Sequence, residues 1–157
     1  MTEPLGFFLT WTTYGGWVPG DARGWTSRGH GLREPDHRLE AIVQRKLNEL
    51  PLLLSDQARL IVNETIKSHC VFRGWRLWAV NARTNHVHVV VTANVRPELV
   101  MNQFKAWCTR RLKESAADVD RDNWWTKSGS TRYITREDNL ESAIIYTLEA
   151  QDRKGLD

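Results

Sequence analysis

Two histidines stand one residue apart in a segment that is otherwise rich in valine, TNHVHVVV. In an extended strand, side chains two positions apart point to the same face of the sheet. His86 and His88 would therefore lie side by side, with Val87 and Val89 on the opposite face. Paired imidazoles on a rigid strand can hold a metal ion, or can be two ordinary histidines at the edge of a core. Other residues have to decide between these two interpretations.

Tyr146 is the candidate nucleophile. A tyrosine phenol can form a covalent intermediate, although it can equally be a packed core residue. On a helix, its neighbours at i+3 and i+4 are Glu149 and Ala150. Glu149 could supply an oxygen ligand on the same face, and Gln151 could do so if the helix end unwinds. Two neutral imidazoles and one oxygen, with open positions left, form a site for a divalent ion that activates a phosphate.

The hydrophobic pattern predicts the elements that position these groups. Segments rich in β-branched and aromatic residues predict strands over 7–15, 75–83 and 86–94, and a final hairpin over 122–135 that turns at 128–130. Apolar periodicity predicts helices over 56–71, over 96–117 and from near Glu137 onward, with a short one over 38–47. Residues 16–37 are crowded with Gly, Pro, Asp and Arg, which predicts a long loop.

This order of elements indicates the fold class. A β-α-β-β-α-β order with hairpin-linked middle strands is the plan of the ferredoxin-like split βαβ fold. We therefore expect an α+β protein with a central antiparallel sheet and helices on one face. The C-terminal helix carries Tyr146 and is the candidate catalytic helix. The other face of the sheet would be free for a ligand.

Length and composition limit the protein class. With 157 residues, 41% of them hydrophobic and 26% charged, the chain is expected to form one globular domain over residues 1–157. Cys70 and Cys108 have no paired spacing, which predicts buried free thiols in a reducing compartment rather than a disulfide scaffold or a zinc ribbon. No basic leader or membrane span is visible, so we expect a cytoplasmic protein with no membrane partner.

Basic and aromatic residues supply candidate DNA contacts, because arginine and lysine bind phosphate and tryptophan stacks on bases. The net charge is +3, and eight residues are tryptophan. The candidates are Trp17, Arg23, Trp25 and Arg28 in the predicted loop, Lys105, Arg110 and Arg111 on the second helix, and Lys127 and Arg132 in the final hairpin. The loop tryptophans could instead pack on the sheet edge, and part of the helical run could be a solvated face.

Three segments resemble one family of enzymes. HVHVVV resembles the histidine–hydrophobe–histidine (HUH) motif of single-tyrosine nucleases, and NLESAIIYTLEAQ resembles their catalytic tyrosine helix. LTWTTYGGWVPGDARGW is similar to the N-terminus of REP-associated tyrosine transposases and of the transposases of IS200/IS605 insertion sequences. The resemblance covers almost the whole chain, and the segments occur in the same order.

The resemblance implies a site and a reaction. His86 and His88 match the two metal-binding histidines, with Mg²⁺ or Mn²⁺ as the expected cofactor. Tyr146 matches the nucleophile, which attacks a DNA phosphodiester, becomes a 5′-phosphotyrosine and releases a 3′-hydroxyl. Many relatives carry Asn or Gln four residues after the tyrosine. Ala150 occupies that position here, so Glu149 or Gln151 is expected to serve instead.

The leading hypothesis is a metal-dependent enzyme that nicks and joins single-stranded or hairpin DNA. The alternative is a hairpin-binding protein on the same scaffold whose catalysis is impaired, which the departure at Ala150 motivates. An RNA-binding module ranks last, because RGWRLWAVNAR lacks the glycine–aromatic pattern of RNA-recognition motifs. Relatives include monomers and also dimers that share the tyrosine helix, so both states stay open.

Overall fold

The computed structural model describes residues 3–15, 25–27, 31–33, 38–39, 49–115 and 121–151. Its elements are, in chain order, β1 (Gly6–Thr12), β2 (Trp25–Ser27), β3 (Gly31–Arg33), α1 (Asp56–Arg73), β4 (Arg76–Ala82), β5 (His86–Thr92), α2 (Pro97–Glu114), β6 (Ser130–Ile134) and α3 (Glu137–Leu148). Residues 38–39 are helical, and the rest of the short helix predicted over 38–47 lies outside the described residues.

The first long helix begins and ends at the residues that its sequence indicates. Ser55 is the N-cap of α1, and its Oγ accepts a hydrogen bond from the backbone N–H of Ala58 at 3.1 Å. Gly74 follows the helix in the left-handed region, with φ at 72°, a conformation that glycine adopts without a steric penalty. Trp75 then starts the approach to β4.

Four strands form one antiparallel sheet in the order β4-β5-β1-β6. The central pair is β1 with β5, in a register that places Thr10 opposite His88 and Phe8 opposite Val90. On the other side of β5, Asn81 of β4 is the cross-strand partner of His88. The register of the sheet thus fixes which side chains flank the two histidines.

One face of the sheet carries the main hydrophobic core. The strand side chains on this face are Phe7, Leu9, Trp11, Val87, Val89 and Val91, and they pack against Val62, Ile66, Val100 and Phe104 of α1 and α2. Cys70 and Cys108 are also buried in this core as free thiols, as predicted. The predicted α+β fold class with a central antiparallel sheet is confirmed, and the described residues form a four-stranded antiparallel sheet and three long helices.

The third helix lies on the opposite face of the sheet. Ala143 of α3 packs in a second apolar cluster with Ala79, Val90 and Ile134. The prediction that the helices lie on one face of the sheet therefore holds for α1 and α2 only. The face that we expected to be free for a ligand is partly covered by α3. The cause is β5, whose residues 86–91 are all buried, so that this strand needs cover on both faces.

Two predicted loop and hairpin segments differ from the structure. Within the predicted loop over 16–37, β2 and β3 form a two-stranded antiparallel ladder, which suits the Trp, Thr and Leu residues in these short stretches. The final hairpin does not fold onto itself: β6 pairs with β1, and Trp125 forms a bridge with Thr13 beyond the end of β1. Within the described ranges, no helix is both long and apolar enough to cross a membrane.

Candidate metal and tyrosine site

His86 and His88 lie side by side on β5, as the alternation of the strand predicts. Their ring centroids are 4.7 Å apart, and the side chains are 2% and 5% exposed. Both point to the face of the sheet that α3 partly covers, because the alternating valines point into the main core. The predicted pair therefore exists, at a position where the surrounding protein restricts both rings.

Each imidazole is oriented by a hydrogen bond at Nδ1. The Nδ1 atom of His86 lies 2.6 Å from the side-chain Oδ1 of Asn85, and that of His88 lies 3.0 Å from the Oγ1 of Thr10. A carboxamide oxygen only accepts hydrogen bonds, so Nδ1 of His86 donates. With Nδ1 of His86 donating to Asn85, Nε2 is the atom of this ring that could serve as a metal ligand, and outer contacts of this kind fix ring orientation in known metal sites.

Tyr146 meets His88 on the same face. The two rings stand edge to face with centroids 5.6 Å apart, and the ring of Phe8 lies 5.8 Å from that of Tyr146 and 5.9 Å from that of His88. Tyr146 is nevertheless 59% exposed. The helix therefore brings a solvent-accessible tyrosine against the ring of His88, one of the two buried histidines.

Asn81 joins the end of the tyrosine helix to the strand beside His88. Its Nδ2 donates hydrogen bonds to the backbone oxygens of Thr147 at 2.9 Å and of Ala150 at 3.2 Å. Sequence reasoning missed this residue. The available signal was an asparagine inside a strand, RLWAVNA, because asparagine is uncommon at such positions unless its amide has a partner.

The two histidines have the chemistry to serve as two ligands of a divalent ion. The residue that would supply a third ligand is not identified. Within residues 3–15, 49–115 and 121–151, no three His, Cys, Asp or Glu side chains come together as a metal-binding group. The structure thus does not bring Glu149, which is the exposed C-cap of α3, into a group with His86 and His88. Gln151 is exposed and follows the helix end. Its role as a ligand stays a prediction.

The comparisons with known proteins show the family and the fold of the chain. Residues 47–141, more than half of the chain, match the family described as transposase, IS200 like. The chain belongs to the IS200-like transposase family. The matched segment contains both histidines and ends before Tyr146, so the position of the tyrosine rests on the contacts described above.

A solved structure has the same fold as this IS200-like transposase. It is a crystal structure at 1.90 Å of a protein from Deinococcus radiodurans R1 that has been provisionally assigned as a transposase. The TM-score is 0.57 at 11% sequence identity, over 97% of this chain and 95% of that chain. At this identity the likeness supports the fold alone. A search of curated proteins gave no significant match.

Several residues predicted to contact DNA do not lie beside the histidines and Tyr146 in the structure. Trp17, Arg23 and Arg28 lie outside the described residues, and Trp25 begins β2. Arg110 and Arg111 are on α2, which packs on the opposite face of the sheet from Tyr146. The guanidinium of Arg110 lies 5.1 Å from the ring centroid of Trp107, and Arg111 lines a cavity of about 230 Å³ between α1 and α2.

Lys105 is a buried structural residue. Its side chain is 9% exposed, and Nζ donates hydrogen bonds to the backbone oxygens of Thr126 at 2.9 Å and Ser128 at 3.3 Å. Burial removes water from the ammonium group and lowers the pKa of Lys105. These contacts argue against the predicted DNA contact, because the ammonium group is turned towards the chain that leads into β6.

Arg132 lies on the same face of the sheet as the histidine pair. It lies on β6 directly opposite Phe8, and the alternation of the strands directs it to the face that carries His88. Its side chain is exposed, as is that of Lys127 in the segment before β6. Arg132 therefore places a positive charge on the face of the sheet that carries His88, whereas Arg110 and Arg111 lie on α2, which packs on the opposite face.

Proposed function

We propose that this transposase is a metal-dependent enzyme that nicks and rejoins single-stranded or hairpin DNA through a 5′-phosphotyrosine intermediate. The observation that carries the proposal is the edge-to-face contact of His88 and Tyr146, with the two rings 5.6 Å apart on the same face of the sheet. The family gives the context of DNA transposition. The exposed phenol and the oriented imidazoles supply the chemical groups.

The reaction needs a nucleophile and stabilisation of charge on the phosphate. Tyr146 Oη would form a bond to phosphorus while the bond from phosphorus to O3′ breaks, and the phenol proton is lost as the 3′-oxygen gains one. His86 and His88 would hold Mg²⁺ or Mn²⁺, which polarises a phosphate oxygen and offsets the developing negative charge. The phosphotyrosine is still a phosphodiester, so a 3′-hydroxyl can reverse the step and join DNA.

The exposure of Tyr146 and the position of Arg132 favour an accessible single strand as the substrate. A flexible strand can bend so that the 3′-oxygen lies opposite the attacking phenol, whereas a regular duplex holds its phosphates in a fixed helical path. Arg132 is exposed on the same face and would bind a phosphate next to the one that reacts. The bases next to the reacting phosphate could then unstack while Arg132 keeps its contact with the DNA backbone.

The test is covalent capture of DNA. Purified protein with Mn²⁺ is mixed with single-stranded oligonucleotides that carry candidate hairpins, and a protein–DNA adduct is sought on a denaturing gel. We expect an adduct from the native protein and none from Tyr146→Phe, with DNA binding retained. Tyr133→Phe is the matched control, because Tyr133 is 58% exposed but packs against Phe7 on the opposite face. An adduct that persists in Tyr146→Phe would rule out this nucleophile.

The second candidate is a hairpin-binding protein without catalysis. Two observations favour it: Ala150 occupies the position at which relatives carry a ligand, and the described residues offer no third His, Cys, Asp or Glu near the histidines. This alternative predicts hairpin binding that is unchanged by EDTA and by His86→Ala, with no cleavage in any divalent metal. The proposed enzyme instead requires that EDTA and His86→Ala each abolish the adduct.

A further inference from the structure

We propose that Asn81 is a positioning residue that fixes the last turn of α3, and with it Tyr146, against the strand beside His88. This inference rests on the proposed function for its catalytic consequence. Its structural basis is the pair of hydrogen bonds from Asn81 Nδ2 to the backbone oxygens of Thr147 and Ala150. One amide thereby holds the helix residue that follows Tyr146 and the chain just beyond the helix.

The end of a helix needs such partners. The last four carbonyl groups of a helix have no intrahelical donor, and a side-chain amide with two N–H bonds can satisfy two of them. The oxygen of Thr147 also accepts from the N–H of Ala150 at 3.2 Å, and Thr147 is fully buried, so water has little access. Loss of Asn81 would leave the buried Thr147 oxygen with one donor fewer.

Apart from the ring contacts of Tyr146 with Phe8 and His88, the last turn of α3 has little apolar packing. Ala143, Leu140 and Ile144 pack on the sheet, whereas Ile145 and Leu148 are 47% and 62% exposed. The first two turns are therefore held by apolar packing, and the polar bonds of Asn81 act at the turn that carries the phenol. We infer that the helix persists without Asn81 while its end loosens.

The position of Asn81 in the sheet links this end to the histidines. Asn81 and His88 are cross-strand partners in the β4–β5 ladder. The same amide thus sets the spacing between the strand that bears His88 and the turn that bears Tyr146. An error of about 1 Å in the position of a reacting group can cost about 100-fold in rate. The residues flanking Ala150, including both predicted oxygen ligands, would move with the same turn.

The structural half of the inference is tested by hydrogen exchange. In Asn81→Ala, the amides of Glu149 and Ala150 should exchange at least about tenfold faster, while that of Leu140 in the first turn keeps its rate. Asn63→Ala is the matched control. Asn63 lies on α1, and its Oδ1 accepts a hydrogen bond from the backbone N–H of Ala82 at 2.9 Å. Like Asn81, it links a helix to β4 through a bond between its side chain and the backbone, but its helix packs on the opposite face of the sheet from α3. Unchanged exchange at 149 and 150 in Asn81→Ala would overturn the proposal.

The catalytic half is tested by the rate of adduct formation at saturating DNA. Asn81→Ala should lower this rate about 10- to 100-fold with little change in the Kd for DNA, Asn81→Gln should recover part of it, and Asn63→Ala should keep the native rate. Faster exchange with a native rate of adduct formation would refute the catalytic role. If the native protein forms no adduct, the proposed function fails, and the exchange experiment still decides whether Asn81 holds the turn.

Discussion

The imidazole of His88 and the phenol of Tyr146 meet edge to face, and Phe8 contacts both rings from the neighbouring strand. His88 is buried because β5 runs through the interior of the sheet, whereas Tyr146, on the last turn of α3, stays 59% exposed although its ring contacts His88 and Phe8. A tyrosine buried as deeply as the histidines could not be reached by DNA. Histidines as exposed as the tyrosine would not be held in one orientation. The arrangement combines an oriented imidazole pair with an accessible phenol, as the proposed metal-binding and nucleophile roles require.

Thr10→Val should weaken metal binding about 10- to 100-fold, because Thr10 Oγ1 holds Nδ1 of His88 at 3.0 Å and such outer contacts orient metal ligands. Valine has nearly the same shape, so packing is kept. The measurement is Mn²⁺ titration by calorimetry. Thr12→Val is the control, since Thr12 lies on the same strand face but bonds to the hydroxyl of Thr126. Equal affinities in the native protein and Thr10→Val would contradict the role of Thr10.

Arg132→Gln should weaken the binding of single-stranded DNA and reduce the salt dependence of binding by the equivalent of about one phosphate contact. The reason is that Arg132 is exposed on the face that carries Tyr146. The measurement is fluorescence anisotropy over a range of salt concentrations. Arg110→Gln is the control on the opposite layer, and a larger loss of slope in that variant would place the DNA there instead.

Lys105→Met should destabilise the protein by about 1–2 kcal/mol without changing the salt dependence of DNA binding. The substitution removes hydrogen bonds to the carbonyls of Thr126 and Ser128, and a typical net value is about 1 kcal/mol per bond. Urea unfolding and the anisotropy titration measure the two quantities. A native free energy of unfolding together with a reduced salt slope would restore Lys105 as a DNA contact.

The histidine pair and the fold class could be predicted from the sequence because both depend on short-range periodicity. A period of two places His86 and His88 on one face whatever lies above them, and apolar periodicity defines α1 and α2 in the same way. The face chosen by α3 could not be predicted so directly. An apolar stripe shows that a helix needs a partner surface, but not which side of a sheet provides it.

Contacts between residues distant in sequence account for the other differences. Lys105 looks like a surface lysine in its helix, and only the chain from 124 to 130 folding over α2 supplies the carbonyls that hold it. Helical periodicity places Leu148 in one row with Leu140 and Ile144, yet Thr147 is the fully buried residue of that turn and Leu148 is exposed. The side chain of Asn81 binds backbone oxygens at this turn, and a contact of this kind leaves no trace in the hydrophobic pattern of the sequence.

Gly129→Ala should destabilise the protein by about 1–3 kcal/mol and weaken metal binding. An added Cβ would lie 2.6 Å from the backbone oxygen of Thr10 and 2.9 Å from Sδ of Met101, so β1 or the chain before β6 must shift. Because Thr10 contacts His88, the shift would reach the proposed metal site. Urea unfolding and Mn²⁺ titration are the measurements. Ser128→Ala is the neighbouring control, and native values for Gly129→Ala would show that the close approach relaxes freely.

The buried thiol of Cys70 should give the stability of the protein an alkaline limit. Burial raises the pKa of Cys70 from 9.0 to about 12, so the folded state holds this proton more tightly than the unfolded chain. The resulting stabilisation is complete below about pH 9 and is lost as the pH rises towards about 12. In Cys70→Ala, the free energy of unfolding should therefore decline less steeply over this range, although the cavity lowers its value throughout. Urea unfolding at a series of pH values measures both slopes, and equal slopes for the two proteins would contradict the raised pKa.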